Sequence, residues 1–143
     1  MAVESAYVDT SVLGAYYCPE PLSPSAEAAL RDIEAPVISD LTLVEFSSLV
    51  ARKRQLKELD AREASRVLGA FSEHAAGGFY RRMPMGTGHF TRARRLIEAA
   101  TSLRTLDALH LAAALIAGIP ILTADGQLAR AAKKLKAGVI LIA

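Results

Sequence analysis

What most constrains this chain is a repeated change of period. Short apolar runs stop at an acidic or turn residue, and each gives way to a stretch with helical spacing. Residues 5–8 stop at Asp9, residues 37–39 stop at Asp40, residues 121–123 run up to Ala124 and Asp125, and residues 139–142 are a further such run. A briefer one spans residues 79–83. Apolar runs this short, bounded by turn chemistry, read as buried strands. The intervening stretches read as helices: residues 10–17 up to Pro19, a stripe of Ala26, Ala29, Leu30 and Ile33 behind Ser23 and Pro24, and residues 41 to about 54. Asp60 with Glu63 forms a capping box opening residues 61–76, which Gly77 and Gly78 close. Residues 84–88 read as a loop, and residues 90–100, 103–117 and 126–135 as three more helices, with Gly118 as a left-handed stop. Strands that alternate with helices pair in parallel, because each crossover lays a helix on one face of the sheet. The expectation is an α/β fold: a three-layer α/β/α sandwich around a mostly parallel sheet of about five strands, with residues 1–143 forming one domain.

Composition narrows the class further. At 143 residues and 52% hydrophobic content the chain can bury a core without staples, and 22% charged residues is a globular balance that excludes global disorder. The lone Cys18 has no partner in the chain, and no charged start leads into an apolar stretch and a cleavage site. The longest uncharged stretch, residues 108–124, contains His110, Gly118 and Pro120 and falls short of a membrane span. These features predict a cytoplasmic protein with no membrane association. A net charge of +2 is too mild to announce a nucleic-acid partner by itself.

Four acids stand where structural economy disfavours them. Glu45 has Leu41 and Leu49 at i−4 and i+4, and Asp107 has Leu103 and Leu111 at the same offsets, so both share an apolar helix face and should point toward the core. Asp9 and Asp125 lie just beyond apolar strands at the mouths of helices, and ligands of open α/β sheets bind outside the carboxyl ends of the strands. The ordinary explanations are a helix cap for each strand-end Asp and an Arg partner, such as Arg104, for Glu45 or Asp107. Taken singly those explanations suffice. Taken together, two strand-end acids and two inward helical acids predict one acidic pocket.

Carboxylates crowded into one pocket stay ionised together only around a multivalent cation. Oxygen donors without Cys or His at zinc spacing select Mg2+ or Mn2+. Such ions lower the pKa of bound water and neutralise charge on a phosphodiester, the chemistry of metal-dependent nucleases. Thr10, Ser11, Ser48 and Thr123 are the neighbouring hydroxyls able to hold carboxylates or waters in place.

Four segments carry a family likeness. Tyr7-Val-Asp-Thr-Ser-Val12, Ile38-Ser-Asp-Leu-Thr-Leu-Val-Glu-Phe46, Leu103-Arg-Thr-Leu-Asp-Ala-Leu-His-Leu-Ala112 and Ile121-Leu-Thr-Ala-Asp125 closely resemble, in order and spacing, PIN-domain ribonucleases of the VapC toxin type. The resemblance covers essentially the whole chain. It implies an α/β/α sandwich, Mg2+ (with Mn2+ substituting) bound by Asp9, Glu45, Asp107 and Asp125, and endonucleolytic cleavage of RNA. It also implies a homodimer held by a VapB-type antitoxin whose C-terminal segment crowds the active-site groove. No acid follows Asp125, which favours one metal at rest.

Setting the four acids aside leaves 11 against 17 basic residues, an excess of six. Arg81, Arg82, Arg92, Arg94, Arg95 and Arg104 face the single acid Glu98 between residues 77 and 106, and Arg130, Lys133, Lys134 and Lys136 follow Asp125 unopposed. Basic groups flanking an acidic centre suit phosphate positioning, although any one of them reads equally as a solvated helix face. His110, three residues after Asp107, is placed to bond to it and reads as a packing or supporting histidine rather than a general base. Tyr7, Tyr16, Tyr17, Phe46 and Phe71 read as core or dimer packing. Two rival readings remain: an RNA- or antitoxin-binding module with weak or no catalysis, and a metal-dependent phosphohydrolase with Asp9 as nucleophile. The second is disfavoured because Ser11 stands where a second Asp is wanted.

Overall fold

Each apolar run becomes a strand and each helical stretch a connection in a computed structural model that describes residues 2–143. The strands are β1 (Val3–Val8), β2 (Ile33–Ser39), β3 (Arg81–Met83), β4 (Ile121–Thr123) and β5 (Val139–Leu141). The helices are α1 (Thr10–Tyr17), α2 (Ser23–Arg31), α3 (Asp40–Gln55), α4 (Ala61–Ala76), α5 (Thr87–Ala99), α6 (Thr105–Ala117) and α7 (Gly126–Lys134). The strands form one sheet in the order β3-β2-β1-β4-β5, and every pairing is parallel.

Side-chain alternation along the strands divides the interior in two. Ala6, Val8, Ile38 and Leu122 pack with residues of α1, α2, α3 and α4, while Tyr7, Val37 and Ile121 pack with residues of α5, α6 and α7. This is the expected three-layer arrangement, and its cause is the two-residue period of a strand buried on both faces. Gly118 ends α6 with φ +71°, the left-handed conformation that glycine adopts without a Cβ penalty.

Local boundaries depart most from the sequence reading at β2 and at α5. Ile33, which fits the helical stripe of α2, instead begins β2, where it is buried and registers with Val3. Strand pairing outweighs one further helical residue there, and Pro36 lies within the strand. Its missing N–H is tolerated because β3 begins pairing only at Val37, so that flank of β2 is open at Pro36. At α5 the helix starts at Thr87 rather than 90, because the His89 ring accepts the Gly86 N–H at Nδ1 (3.0 Å) and satisfies a donor at the helix entrance. Among the described residues no helix is long and apolar enough to cross a membrane.

Candidate active site

The chain runs outward from β1 through β2 to β3, then returns to the other side of β1 for β4 and β5. The reversal leaves a crevice between the carboxyl ends of β1 and β4, where parallel sheets bind ligands. Asp9 immediately follows β1, and its N–H donates to Leu122 O of β4 at 2.9 Å, so the two strand ends are pinned together beneath the crevice.

Asp9 occupies the N-cap position of α1, yet its side chain makes no capping bond. Its Oδ2 instead accepts the Ser11 hydroxyl (2.5 Å) and the Thr123 hydroxyl (2.9 Å), which orient a 5% exposed carboxylate into the crevice. The capping explanation therefore fails for Asp9. It succeeds for half of Asp125, whose Oδ1 accepts the N–H groups of Gln127 (2.9 Å) and Leu128 (3.3 Å) at the start of α7. Oδ2 of Asp125 faces Arg104 at 3.4 Å.

Glu45 reaches the crevice because α1 and α3 approach closely. A Cβ at Gly14 of α1 would lie 2.9 Å from Leu49 Cδ1, one turn beyond Glu45 on α3. The Glu45 carboxylate is part-buried and accepts a hydrogen bond from His110 Nε2 at 2.8 Å. Burial pushes this carboxyl upward, but the hydrogen bond from His110 and the positive charge of Arg104 outweigh burial and hold it below its ordinary value. His110 is fully buried on α6, and its Nδ1 lies 2.6 Å from the Tyr7 hydroxyl, which in turn lies 2.8 Å from Ser39 Oγ.

Asp107, on the first turn of α6, is pushed upward by burial and by the neighbouring charges of Asp9 and Asp125, against the opposing charge of Arg104. Arg104 Nη2 lies 3.3 Å from Asp107 Oδ2 and 3.4 Å from Asp125 Oδ2, so one guanidinium bridges the two acids.

All four acids foreseen from the sequence line one open cleft of about 390 Å3, together with Thr10, Ser48, Arg52 and Arg104. They are not equally close. One ligand atom each from Asp9, Glu45 and His110 lie within 4.8 Å of one another, whereas Asp107 and Asp125 stand outside that group and share Arg104. Glu45 and Asp107 do not enter the core proper but form part-buried walls of the cleft. His110 bonds Glu45 and not Asp107. Its one legible signal was its setting: a histidine between Leu109 and Leu111 in an apolar run requires a partner from across the core.

These residues suit a hard divalent cation. Both ring nitrogens of His110 are engaged within the protein, which leaves carboxylate and hydroxyl oxygens as the cleft's available donors. The buried Thr10 Oγ1, which lines the cleft, finds no hydrogen-bond partner among the described residues. After burial, the charges of Asp9 and Asp125 add to the upward push on Asp107, a repulsion that a cation between these acids would relieve.

Comparison with known proteins bears on this geometry. Residues 6–134 match the family model described as PIN domain. No curated protein matches the sequence. Among solved structures, VapC20 of Mycobacterium tuberculosis, a sarcin–ricin loop cleaving toxin, is similar with TM-score 0.71 at 18% identity, over 88% of this chain and 94% of that one. FitAcB from Neisseria gonorrhoeae is similar with TM-score 0.70 at 18% identity, over 94% and 96%. VapBC-5 from Mycobacterium tuberculosis, a member of the VapBC family of toxin-antitoxin systems, is similar with TM-score 0.65 at 22% identity, over 98% of each chain.

Proposed function

Because the chain belongs to the PIN-domain family, we propose that it is a Mg2+- or Mn2+-dependent endoribonuclease and the toxin of a VapBC-type toxin–antitoxin pair. The observation that carries the reading is the cleft at the β1–β4 reversal, where Asp9 and Glu45 meet and Asp107 and Asp125 complete the wall. Asp9, Glu45, Asp107 and Asp125 would hold the ion. When bound, the ion supplies charge neutralisation at the scissile phosphodiester and activation of the attacking water.

The chain's own residues prepare that chemistry. Ser11 and Thr123 fix Asp9 against the strand ends, so its charge is aimed before substrate arrives. Arg52 and Arg104 stand on the cleft wall, and Arg130, Lys133 and Lys134 line a neighbouring cavity on α7. These cations attract and register a phosphate backbone without reading its sequence. An open cleft suits a polymer that must pass through, in contrast to a closed small-molecule pocket. The structural likeness to VapC20 and to VapBC-5 supports RNA as substrate and a VapB-type antitoxin as partner; a cytoplasmic homodimer is the acting form we propose.

The direct test is cleavage of RNA by the purified chain in Mn2+. Asp9→Asn and Asp107→Asn should each reduce cleavage at least about a hundredfold, and a chelator should abolish it in the parent. Cleavage that survives in both variants at the parental rate would mark a contaminant and defeat the assignment. RNA binding without any cleavage would favour the non-catalytic module, the reading for which presence of all four acids offers no reason.

A further inference from the structure

We propose that His110 is a positioning residue for Glu45, aiming its carboxylate into the cleft and thereby setting how tightly the protein takes up a divalent cation. The inference rests on the metal-dependent reading above but concerns a residue outside the four carboxylates.

The geometry is specific. His110 is fully buried on α6, out of reach of solvent, and Nε2 meets Glu45 Oε1 at 2.8 Å. An ionised carboxylate only accepts, so Nε2 carries the proton. In the neutral imidazole Nδ1 then accepts from the Tyr7 hydroxyl at 2.6 Å, and the Tyr7 oxygen accepts from Ser39 Oγ at 2.8 Å. The Tyr7 and His110 rings also pack against each other, with centroids 5.5 Å apart. This chain joins β1, the end of β2, α3 and α6, so the imidazole has no freedom to turn.

Glu45 by contrast is a flexible side chain on a cleft-facing helix surface, and without an anchor it would sample several rotamers. If it swung away, the Nε2–H of the fully buried ring would lose its acceptor within the protein. The carboxylate is therefore held with one oxygen on His110, which leaves the other for a ligand. Outer partners of this kind orient metal ligands and tune affinity.

Calorimetric titration of Mn2+ into the parent, His110→Leu, His110→Gln and Tyr7→Phe tests the role, with metal-free melting curves for each. His110→Leu should bind Mn2+ about 10- to 100-fold more weakly. His110→Gln retains an amide donor able to reach Glu45 and should recover most of that loss, while Tyr7→Phe should weaken binding several-fold by freeing the ring. RNA cleavage by His110→Leu should recover as Mn2+ is raised, a rescue that a general loss of structure would not give. Parental Mn2+ affinity in a folded His110→Leu overturns the positioning role alone, as does an equal loss in His110→Gln and His110→Leu. Should His110→Leu fail to fold, Tyr7→Phe decides: several-fold weaker binding supports the role and unchanged affinity overturns it. A parent that takes up no Mn2+ overturns the metal reading itself.

Discussion

Asp9 and Asp107 belong to one cleft but owe the fold different things. Asp9 receives two hydroxyl donors, and Asp9→Ala removes the acceptor of the part-exposed Ser11 hydroxyl and of the fully buried Thr123 hydroxyl. Its cost should be about 1–3 kcal/mol, the range for leaving buried polar groups unpaired. Relief of repulsion without a structural cost is therefore expected not on replacing Asp9 but on replacing Asp107. There burial and the charges of Asp9 and Asp125 disfavour ionisation, and the Arg104 guanidinium that opposes them is 72% exposed. With its cation so exposed, this pair contributes only about 1 kcal/mol even though Asp107 is part-buried. In chelator, Asp107→Asn should melt above the parent; in saturating Mn2+ the order should reverse, because only the parent retains the full ligand set and gains by mass action. Melting curves in both conditions check the reversal.

Elements that a sequence encodes locally were legible, and those that depend on distant pairing were not. The capping box at Asp60 and Glu63, the left-handed stop at Gly118 and the strand ends at Val8 and Thr123 each follow from a few adjacent residues, and each appears in the structure. The start of β2 at Ile33 depends on Val3 across the sheet, and the His110–Glu45 bond spans 65 residues, so neither is visible in a local window. The aromatic residues show the same division. Tyr17, Phe46 and Phe71 form core contacts between α1, α3 and α4, and Tyr17 bonds His74 Nδ1 (2.6 Å) and the Tyr80 hydroxyl (2.7 Å). Tyr80, unremarked in the sequence, is buried in this cluster. Burial raises Tyr17 and Tyr80 well above the ordinary value of 10.0, and pushes Tyr7 up to about 12. A phenol raised in the fold contributes its full stability below pH 10, and that contribution is lost as the pH climbs toward the folded value. Alkaline titration should show most tyrosinate absorbance appearing together with loss of circular dichroism. Full ionisation at pH near 10 in a folded protein would contradict the buried cluster.

At the scale of the whole molecule, charge is segregated by role. A modest net charge of +2 conceals an acidic cleft within a surface that carries six more basic than acidic groups once the four carboxylates are set aside. Arg52 and Arg104 meet the acids at the cleft wall, and Arg130, Lys133 and Lys134 extend the basic character along α7. RNA binding by the uncleaving Asp107→Asn variant should therefore weaken steeply with salt, with a log–log slope of about −0.7 for each backbone phosphate contacted on single strands. A flat salt dependence would place RNA recognition elsewhere. The cleft's position was legible because strand-end acids in a parallel sheet face one edge, but its internal grouping was not, since it depends on how closely α1 and α3 pack at Gly14. The most direct measurement is Mn2+ titration of the parent beside Asp9→Asn, Glu45→Gln, Asp107→Asn and Asp125→Asn. A shared divalent site predicts saturable uptake by the parent and binding weakened about tenfold or more in every variant; no uptake by the parent, or parental affinity in Asp107→Asn and Asp125→Asn, would contradict it.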